Sequence, residues 1–164
     1  MADNAPSIAA ATLTRIGHVN LSVSHLETSL SFYRDTLGMK VTKLLDEAAF
    51  LSFGSYHHDL CLNTWKTRGG VPKPDGTTGL YHFAIAYGEL GALQAATQRV
   101  RSAGLVVDDV VDHEVSLSVY LRDPDLNGVE LLWDRPAGAW WSADGELRMG
   151  YRRIPLELLD AIVP

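Results

Sequence analysis

Apolar and polar residues alternate along this chain in short runs that fall into two similar series. Residues 14–23 alternate over most of their length, which is typical of a half-buried β-strand. The stretch 24–37 carries apolar side chains at helical spacing, and Gly38 is the residue type that commonly ends a helix. The first series then closes with three short strand-like runs at about 39–46, 48–54 and 58–65.

The second series repeats this order after a segment, 66–78, that is rich in Gly, Pro, Lys and Thr and predicts a linker. It consists of a strand, a helix ended by Gly104, and three more strands, at about 79–87, 89–103, 105–112, 115–122 and 128–134. We therefore predict an α+β fold of two βαβββ modules, at about 14–66 and 78–136. Since one module alone leaves a sheet face bare, we expect the two to form an eight-stranded open barrel around one metal site.

The two ends of the chain lie outside this repeat. Residues 1–12 are small and Ala-rich without a basic segment, which predicts a disordered leader rather than a signal peptide. Residues 137–164 form a C-terminal extension with apolar anchors at Trp140 and Trp141 and a short predicted helix over 156–162. We expect this extension either to pack on the outside of the barrel or to cover its open end as a lid.

Composition narrows the function classes. The 164 residues suit one domain, and the net charge of −6 argues against a nucleic-acid-binding surface. No apolar run reaches the roughly 18 residues that indicate a membrane helix. The single cysteine, Cys61, excludes an internal disulfide framework and a Cys-rich zinc site, so we expect a cytoplasmic protein. Exposed strand edges and the small size favour a homodimer.

Three residues suggest a metal centre. His18 and His82 occupy equivalent positions in the two modules, so we expect them to point at one place from opposite sides. Glu130 interrupts an otherwise apolar strand, and a buried carboxylate needs a compensating charge. Two imidazoles and one carboxylate suit Fe(II), while Mn(II), or Zn(II) in a catalytic site, can use the same ligands. Each residue taken alone is more often structural, and the combination carries the prediction.

The segments Arg15–Val19, Phe32–Gly38 and Asp123–Glu130 resemble signatures of the vicinal oxygen chelate superfamily, which includes glyoxalases and bleomycin-resistance proteins. The resemblance covers about residues 14–136. Within the superfamily, the chain is most similar to the extradiol catechol dioxygenases. It implies an Fe(II) enzyme that opens a small aromatic ring with O2.

The resemblance also implies roles for single residues. The family's metal ligands match His18, His82 and Glu130, and its acid–base histidine matches His58. Such a histidine deprotonates a catechol and later returns a proton, which imidazole does near neutral pH. A tyrosine that donates a hydrogen bond beside the metal matches Tyr120. The substrate-binding residues of the family match Asn20 and His113.

Three rival functions remain open. A glyoxalase-type isomerase has a fourth metal ligand, and aligning the two modules on Trp65 and Trp133 puts Leu60 or Leu62 at that position, with Cys61 facing outward. Leu60 and Leu62 are expected to line the cavity on the same side as His58. A thiol transferase of the fosfomycin-resistance kind would need a cluster of Lys and Arg for a phosphonate. The sequence shows no such cluster at the positions expected to face inward. A non-catalytic drug-binding protein of this fold would commonly lack the metal ligands that this chain keeps.

Overall fold

The computed structural model describes residues 15–163, so the predicted leader 1–12 lies outside the described part. Two α-helices, α1 (Leu26–Leu30) and α2 (Leu90–Ser102), accompany the strands. The strands are β1 (Val19–Ser22), β2 (Lys40–Leu44), β3 (Ala48–Ser52), β4 (Leu60–Asn63), β5 (His82–Tyr87), β6 (Val107–Asp112), β7 (Ser116–Arg122), β8 (Gly128–Asp134) and β9 (Arg152–Arg153).

The strands form two mixed sheets. The first has the order β1-β4-β3-β2 and the second the order β5-β8-β7-β6-β9. In each sheet the first strand of the series pairs in parallel with the fourth, while the other pairs are antiparallel. The α+β class and the repeated order of elements are therefore confirmed. The eight-stranded barrel stays a prediction, because the strands of residues 15–163 are arranged as two separate sheets.

One face of each sheet is buried against the helices. In β1, Leu21 is buried while Asn20 and Ser22 are exposed, as the alternation predicts. In β8, Val129 and Leu131 are fully buried on the corresponding face. The apolar core consequently lies between the sheets and the helices, and the opposite sheet faces remain for polar side chains.

The first predicted helix differs from the observed one. Only Leu26–Leu30 is α-helical, and the chain continues as a π-helical turn over Ser31–Thr36. In this widened turn the adjacent Phe32 and Tyr33 are both buried, which a regular α-helix would direct about 100° apart. Tertiary packing of the two aromatic rings thus overrides the helical spacing read from the sequence.

Both predicted helix ends are confirmed. Gly38 and Gly104 follow the two helical segments with φ of 84° and 72°, in the left-handed region that favours glycine. Their position at the same point of each module supports the internal repeat.

Asp123, in the loop before β8, joins the two halves of the chain. Its carboxylate accepts a 2.7 Å hydrogen bond from the buried hydroxyl of Tyr33 and further bonds from Asn127 and from the amide of Asp125. Burial raises the pKa of Asp123, although these donors oppose the shift. The contact with Tyr33 connects the π-helical turn of the first module to the second module.

We expect Asp123→Ala to lower the free energy of unfolding by about 3 kcal/mol, because several buried donors lose their acceptor at once. Urea unfolding followed by circular dichroism measures this change. Asp144→Ala, at an exposed position, is the matched control and should change stability by less than about 0.5 kcal/mol. Equal stability of the two variants would show that Asp123 does not join the modules.

The C-terminal extension packs on the second sheet. β9 pairs antiparallel with β6, and Leu159 is buried in the core. The side-chain amide of Gln94 on α2 donates to the carbonyls of Leu159 and Ile162. The helix predicted over 156–162 is present as a 3-10 helix, Leu156–Ala161. Of the alternatives for this segment, packing on the outside is observed for its last part.

A buried carboxylate fixes the start of β9. Asp112 accepts hydrogen bonds from Arg135 at 3.1 Å and from Arg152 at 2.7 Å. Burial would raise the pKa of Asp112, but the bonds from Arg152, the Glu114 amide and Arg135 hold it below its ordinary value.

Between residues 15 and 163, neither helix is long and apolar enough to span a bilayer.

Candidate functional site

Two of the predicted metal ligands meet on adjacent strands. β5 pairs with β8 so that His82 lies opposite Gly128 and Ala84 opposite Glu130. Nε2 of His82 is 3.1 Å from Oε2 of Glu130, and Glu130 is only 7% exposed. Two ligand atoms about 2.1 Å from one ion and at right angles lie about 3 Å apart. The pair therefore has the spacing and the donor chemistry of neighbouring ligands of one metal ion.

Gly128 permits this close approach. A Cβ at Gly128 would collide with the carbonyl oxygen of Tyr81 and would lie 2.9 Å from Cβ of His82. Any larger residue would push β5 away from β8, and His82 would move away from Glu130. The glycine before the candidate ligand is thus a steric requirement of the site.

A hydrogen-bond chain extends from Glu130 across the sheet. The hydroxyl of Tyr120, on β7, donates to Oε1 of Glu130 at 3.0 Å, and Nε2 of His113 lies 2.8 Å from the same hydroxyl. Burial and the Glu130 carboxylate raise the pKa of Tyr120, so its hydroxyl stays protonated. Nδ1 of His82 is buried without a partner in the described structure. Hydrogen bonds within the site therefore hold the Glu130 carboxylate in position, whereas no such bond holds Nδ1 of the His82 ring.

His18 lies in the other module. It is exposed, and together with His82 it lines a cavity of about 520 Å³ between the two sheets. Among the described residues, no three His, Cys, Asp or Glu side chains are close enough to hold a metal ion. The structure thus brings His82 and Glu130 into contact. His18 lines the same cavity as His82 but does not contact this pair directly. The donors of His82 and Glu130 fit a divalent metal, and His18 would have to move to join them as a third ligand.

His58 lies beside His18. The two ring centroids are 4.6 Å apart, and the ring of Phe50 packs edge-on against His58 at 5.1 Å. Nδ1 of His57 is 2.6 Å from Nδ1 of His58, so one of the two nitrogens carries a proton and donates. Desolvation, followed by the charges of His57 and His18, lowers the pKa of His58. The ring is neutral near pH 7 and can accept a proton there.

Asn20, predicted to bind substrate, shares the open face of the first sheet with His18. Its side-chain oxygen accepts a 2.6 Å hydrogen bond from Nδ2 of the buried Asn63. This bond fixes the Asn20 oxygen, and the exposed Asn20 keeps its amide group as a donor.

The fourth-ligand position is a correction. The register pairs Asn20 with Cys61 as it pairs Ala84 with Glu130, so Cys61 is the counterpart of Glu130. The expectation that Cys61 faces outward and that Leu60 or Leu62 takes this position is therefore wrong. Both leucines pack in the core, and of the two only Leu60 also lines the cavity, as expected from the sequence. Aligning the modules on their tryptophans gave a one-residue error, which reverses the face of a strand.

Cys61 is a poor metal ligand despite its position. Its side chain is 1% exposed, and burial raises the pKa of its thiol. Cysteine binds metals as a thiolate, so a raised pKa disfavours ligation. A buried thiol of raised pKa at the fourth-ligand position therefore disfavours a four-ligand metal site.

A second cavity, of about 410 Å³, lies on the open face of the second sheet beside His82 and Tyr120. Tyr151 and Arg153 of the C-terminal extension and Tyr81 contribute to its lining. The prediction from sequence did not include Tyr151 or Arg153, because no periodicity links the extension to the sheet. Only the pairing of β9 with β6 brings these side chains to the site.

Comparisons with known proteins identify the family of the chain. Residues 15–131 match the family model of the Glyoxalase/Bleomycin resistance protein/Dioxygenase superfamily. A catechol-2,3-dioxygenase of Bacillus subtilis is 37% identical over 127 residues, 77% of this chain and 44% of that protein. Biphenyl-2,3-diol 1,2-dioxygenase 3 of Rhodococcus globerulus is 34% identical over 79% of this chain and 68% of its own length. The chain thus spans less than half of the Bacillus relative.

Other relatives have different names. A glutathione transferase and a lactoylglutathione lyase match at lower identity. The crystal structure of lactoylglutathione lyase from Agrobacterium tumefaciens superimposes with a TM-score of 0.58 at 24% identity, over 74% of this chain and 95% of that one. This likeness concerns the fold alone. From the family match and the shared fold, we conclude that the chain belongs to the glyoxalase/bleomycin resistance protein/dioxygenase superfamily.

Proposed function

We propose that this protein is an Fe(II)-dependent extradiol dioxygenase that opens the ring of a catechol-type aromatic with O2. The observation that carries the proposal is the pair of His82 and the buried Glu130, 3.1 Å apart, in which Tyr120 is bonded to Glu130 and His82 lines two cavities. The dioxygenase relatives support the same reaction class.

His18, His82 and Glu130 would hold the metal. A bound Fe(II) would supply positive charge that favours a catecholate, and a centre through which electrons of the catecholate reach O2. Mn(II) or another divalent ion fits the same donors. His18 would reach the ion from the first-module side of the cavity that it shares with His82.

The remaining site residues would act on the substrate or hold the candidate ligand Glu130 in position. His58, neutral near pH 7, would accept a proton from a catechol hydroxyl and later return it. The amide group of Asn20 would donate to a substrate oxygen. The hydroxyl of Tyr120 would hold Glu130 in position and present a protonated group to the cavity. His113 supports Tyr120 from behind and is assigned to the site through that contact.

The proposal is tested by loading the purified chain with Fe(II) without air, adding catechol or biphenyl-2,3-diol, and then admitting oxygen. We expect one O2 consumed per diol and a yellow ring-opened product. Protein kept anaerobic with the same diol should stay colourless and serves as the control. Metal-loaded protein that consumes no oxygen with either diol would contradict the dioxygenase and favour the isomerase or the transferase.

A thiol transferase is the second candidate, because two arginine side chains line the second cavity. Arg122 and Arg153 reach it, but each is paired with a carboxylate, Asp108 at 3.4 Å and Asp109 at 2.8 Å. These ion pairs leave little excess positive charge for a phosphonate.

The homodimer and the non-catalytic binding protein remain predictions of the sequence.

A further inference from the structure

The C-terminal extension contributes one wall of the second cavity. The amide of Gly150 donates to the carbonyl of His113 at 2.8 Å, and Nδ1 of His113 lies 2.9 Å from the carbonyl of Gly150. The next residue, Tyr151, lines the cavity, and so does Arg153, whose strand β9 pairs with β6. The backbone of the extension is thus held on both sides of Tyr151.

The side chain of Tyr151 is also held in place. Its hydroxyl donates to Oδ2 of Asp109 at 3.2 Å and accepts a 3.3 Å hydrogen bond from Nε of Arg153. Its ring packs against the ring of His113 with the centroids 5.8 Å apart. Tyr151 is nevertheless 65% exposed. Such an ordered and exposed aromatic ring can bind an apolar group at a small cost in conformational entropy.

Tyr81 provides a second exposed ring in the same cavity. It is 82% exposed, and its ring centroid lies 5.4 Å from that of the neighbouring candidate ligand His82. Aromatic rings interact favourably with other flat rings, either stacked or edge-on, and gain from the burial of their surface. The two tyrosines therefore favour a flat apolar ligand beside the candidate metal pair.

The second cavity is larger than a single catechol ring requires. Its volume is about 410 Å³, whereas a cavity of about 150 Å³ holds a benzene molecule. His82 lies at the cavity wall, so a diol bound at the candidate metal pair would leave much of this volume unfilled. The remaining space can hold a substituent about as large as a second ring.

The charges of the cavity wall are arranged in pairs. Nε of Arg153 is 2.8 Å from Oδ2 of Asp109, and Nε of Arg122 is 3.4 Å from Oδ2 of Asp108. A carboxylate on the substituent would lose hydration in the cavity and would find both of these guanidinium groups already paired. The wall therefore favours a neutral substituent.

We propose that the second cavity binds a neutral aromatic substituent of the diol and that Tyr151 selects this substituent. The assignment rests on the proposed function and deepens it, because it names the class of diol and gives the C-terminal extension a role in substrate specificity. Tyr151 contacts the substituent rather than the reacting atoms, so its replacement should change the choice of substrate.

The test measures dissociation constants by calorimetry, without air, on the full chain incubated with Zn(II), an ion that has no redox chemistry. The ligands are catechol, biphenyl-2,3-diol and 2,3-dihydroxybenzoate, which carries a carboxylate where biphenyl-2,3-diol carries a phenyl group. We expect biphenyl-2,3-diol to bind about tenfold more tightly than catechol, and 2,3-dihydroxybenzoate to bind no more tightly than catechol. Biphenyl-2,3-diol that binds no better than either of the other two would overturn the proposal.

Variants of Tyr151 examine its part in this preference. Tyr151→Ala should lose most of the preference for biphenyl-2,3-diol and keep its affinity for catechol. Tyr151→Phe retains the ring and should retain the preference. Trp141→Ala is the matched control, because Trp141 is another exposed aromatic residue of the extension and is not part of the described cavity wall. The assignment of Tyr151 is wrong if Tyr151→Ala keeps the preference of the wild type.

Asp108→Asn examines the pairing of charges. It frees Arg122, whose Nη1 still donates to the carbonyl of Leu126 at 3.2 Å. We expect 2,3-dihydroxybenzoate to bind this variant about threefold more tightly than it binds the wild type, with no change for biphenyl-2,3-diol. Unchanged binding of 2,3-dihydroxybenzoate would contradict the role of the ion pairs.

Oxygen uptake separates this proposal from the dioxygenase activity. If the Fe(II)-loaded wild type consumes no oxygen but the Zn(II)-treated chain prefers biphenyl-2,3-diol through Tyr151, the reaction is wrong and the binding site stands. If the wild type consumes oxygen and Tyr151→Ala keeps the wild-type preference, the reaction stands and the specificity role of Tyr151 is wrong.

Discussion

Replacing His82 with alanine will abolish metal binding and turnover while leaving the fold intact. His82 is about one-third exposed at its side chain and lies outside the apolar core, so its loss leaves little empty volume. Removing a hydrogen-bond partner behind a ligand already weakens metal affinity by roughly 10–100-fold, and removing a ligand costs more. Of the three candidate ligands, Glu130 would then remain in place without its neighbour, and His18 lies on the other side of the cavity.

Metal content after Fe(II) loading, measured by elemental analysis, and oxygen uptake with catechol report the result. His25→Ala is the matched control, because His25 is exposed and its side chain has no hydrogen-bond partner in the described structure. The control should bind metal as the wild type does. Normal metal content in His82→Ala would contradict the assignment of this ligand.

Replacing His58 with phenylalanine will reduce turnover by about 10²–10⁴-fold with normal metal content, the usual range for loss of a general acid–base group. Phenylalanine preserves the packing of the ring against Phe50, so the variant isolates the proton-transfer function. Steady-state kinetics on Fe(II)-loaded protein, together with metal analysis, test this. Full activity in the variant would remove His58 from the mechanism.

The pH profile should identify the same residue. The base must be neutral, so activity falls as the pH drops through the pKa of His58. Because desolvation and the charges of His57 and His18 lower that pKa, the acid limb should lie below the ordinary histidine value of about 6.5. Substituting His57 with phenylalanine removes one of these charges and should move the acid limb to higher pH, whereas His25→Phe should not move it.

Several features of the fold follow directly from the sequence. The repeated order of strands and helices, the glycine ends at Gly38 and Gly104, and the burial of Glu130 all come from local spacing. Strand alternation is a local property, since successive side chains point to opposite faces whatever lies beside the strand. It therefore placed His82 and Glu130 correctly within their own strands.

The relation between strands is a different matter. The alternation of side chains within one strand does not determine which residue of β4 lies opposite which residue of β1. A shift of the strand pairing by one residue exchanges the two faces of the strand. For this reason Cys61, and not a leucine, proved to be the counterpart of Glu130. The π-helical turn was likewise decided by the burial of Phe32 and Tyr33 rather than by helical spacing.

By itself, the sequence determined the fold class and the two-module organisation and suggested the residues of a candidate metal centre, because these depend on periodicity and on the chemistry of single side chains. Only the tertiary structure decided that His82 and Glu130 touch while His18 lies across a cavity, and that Gly150 is bonded to His113. Those contacts join residues far apart in the chain. Their geometry depends on strand register and on the docking of the C-terminal extension, which no local pattern encodes.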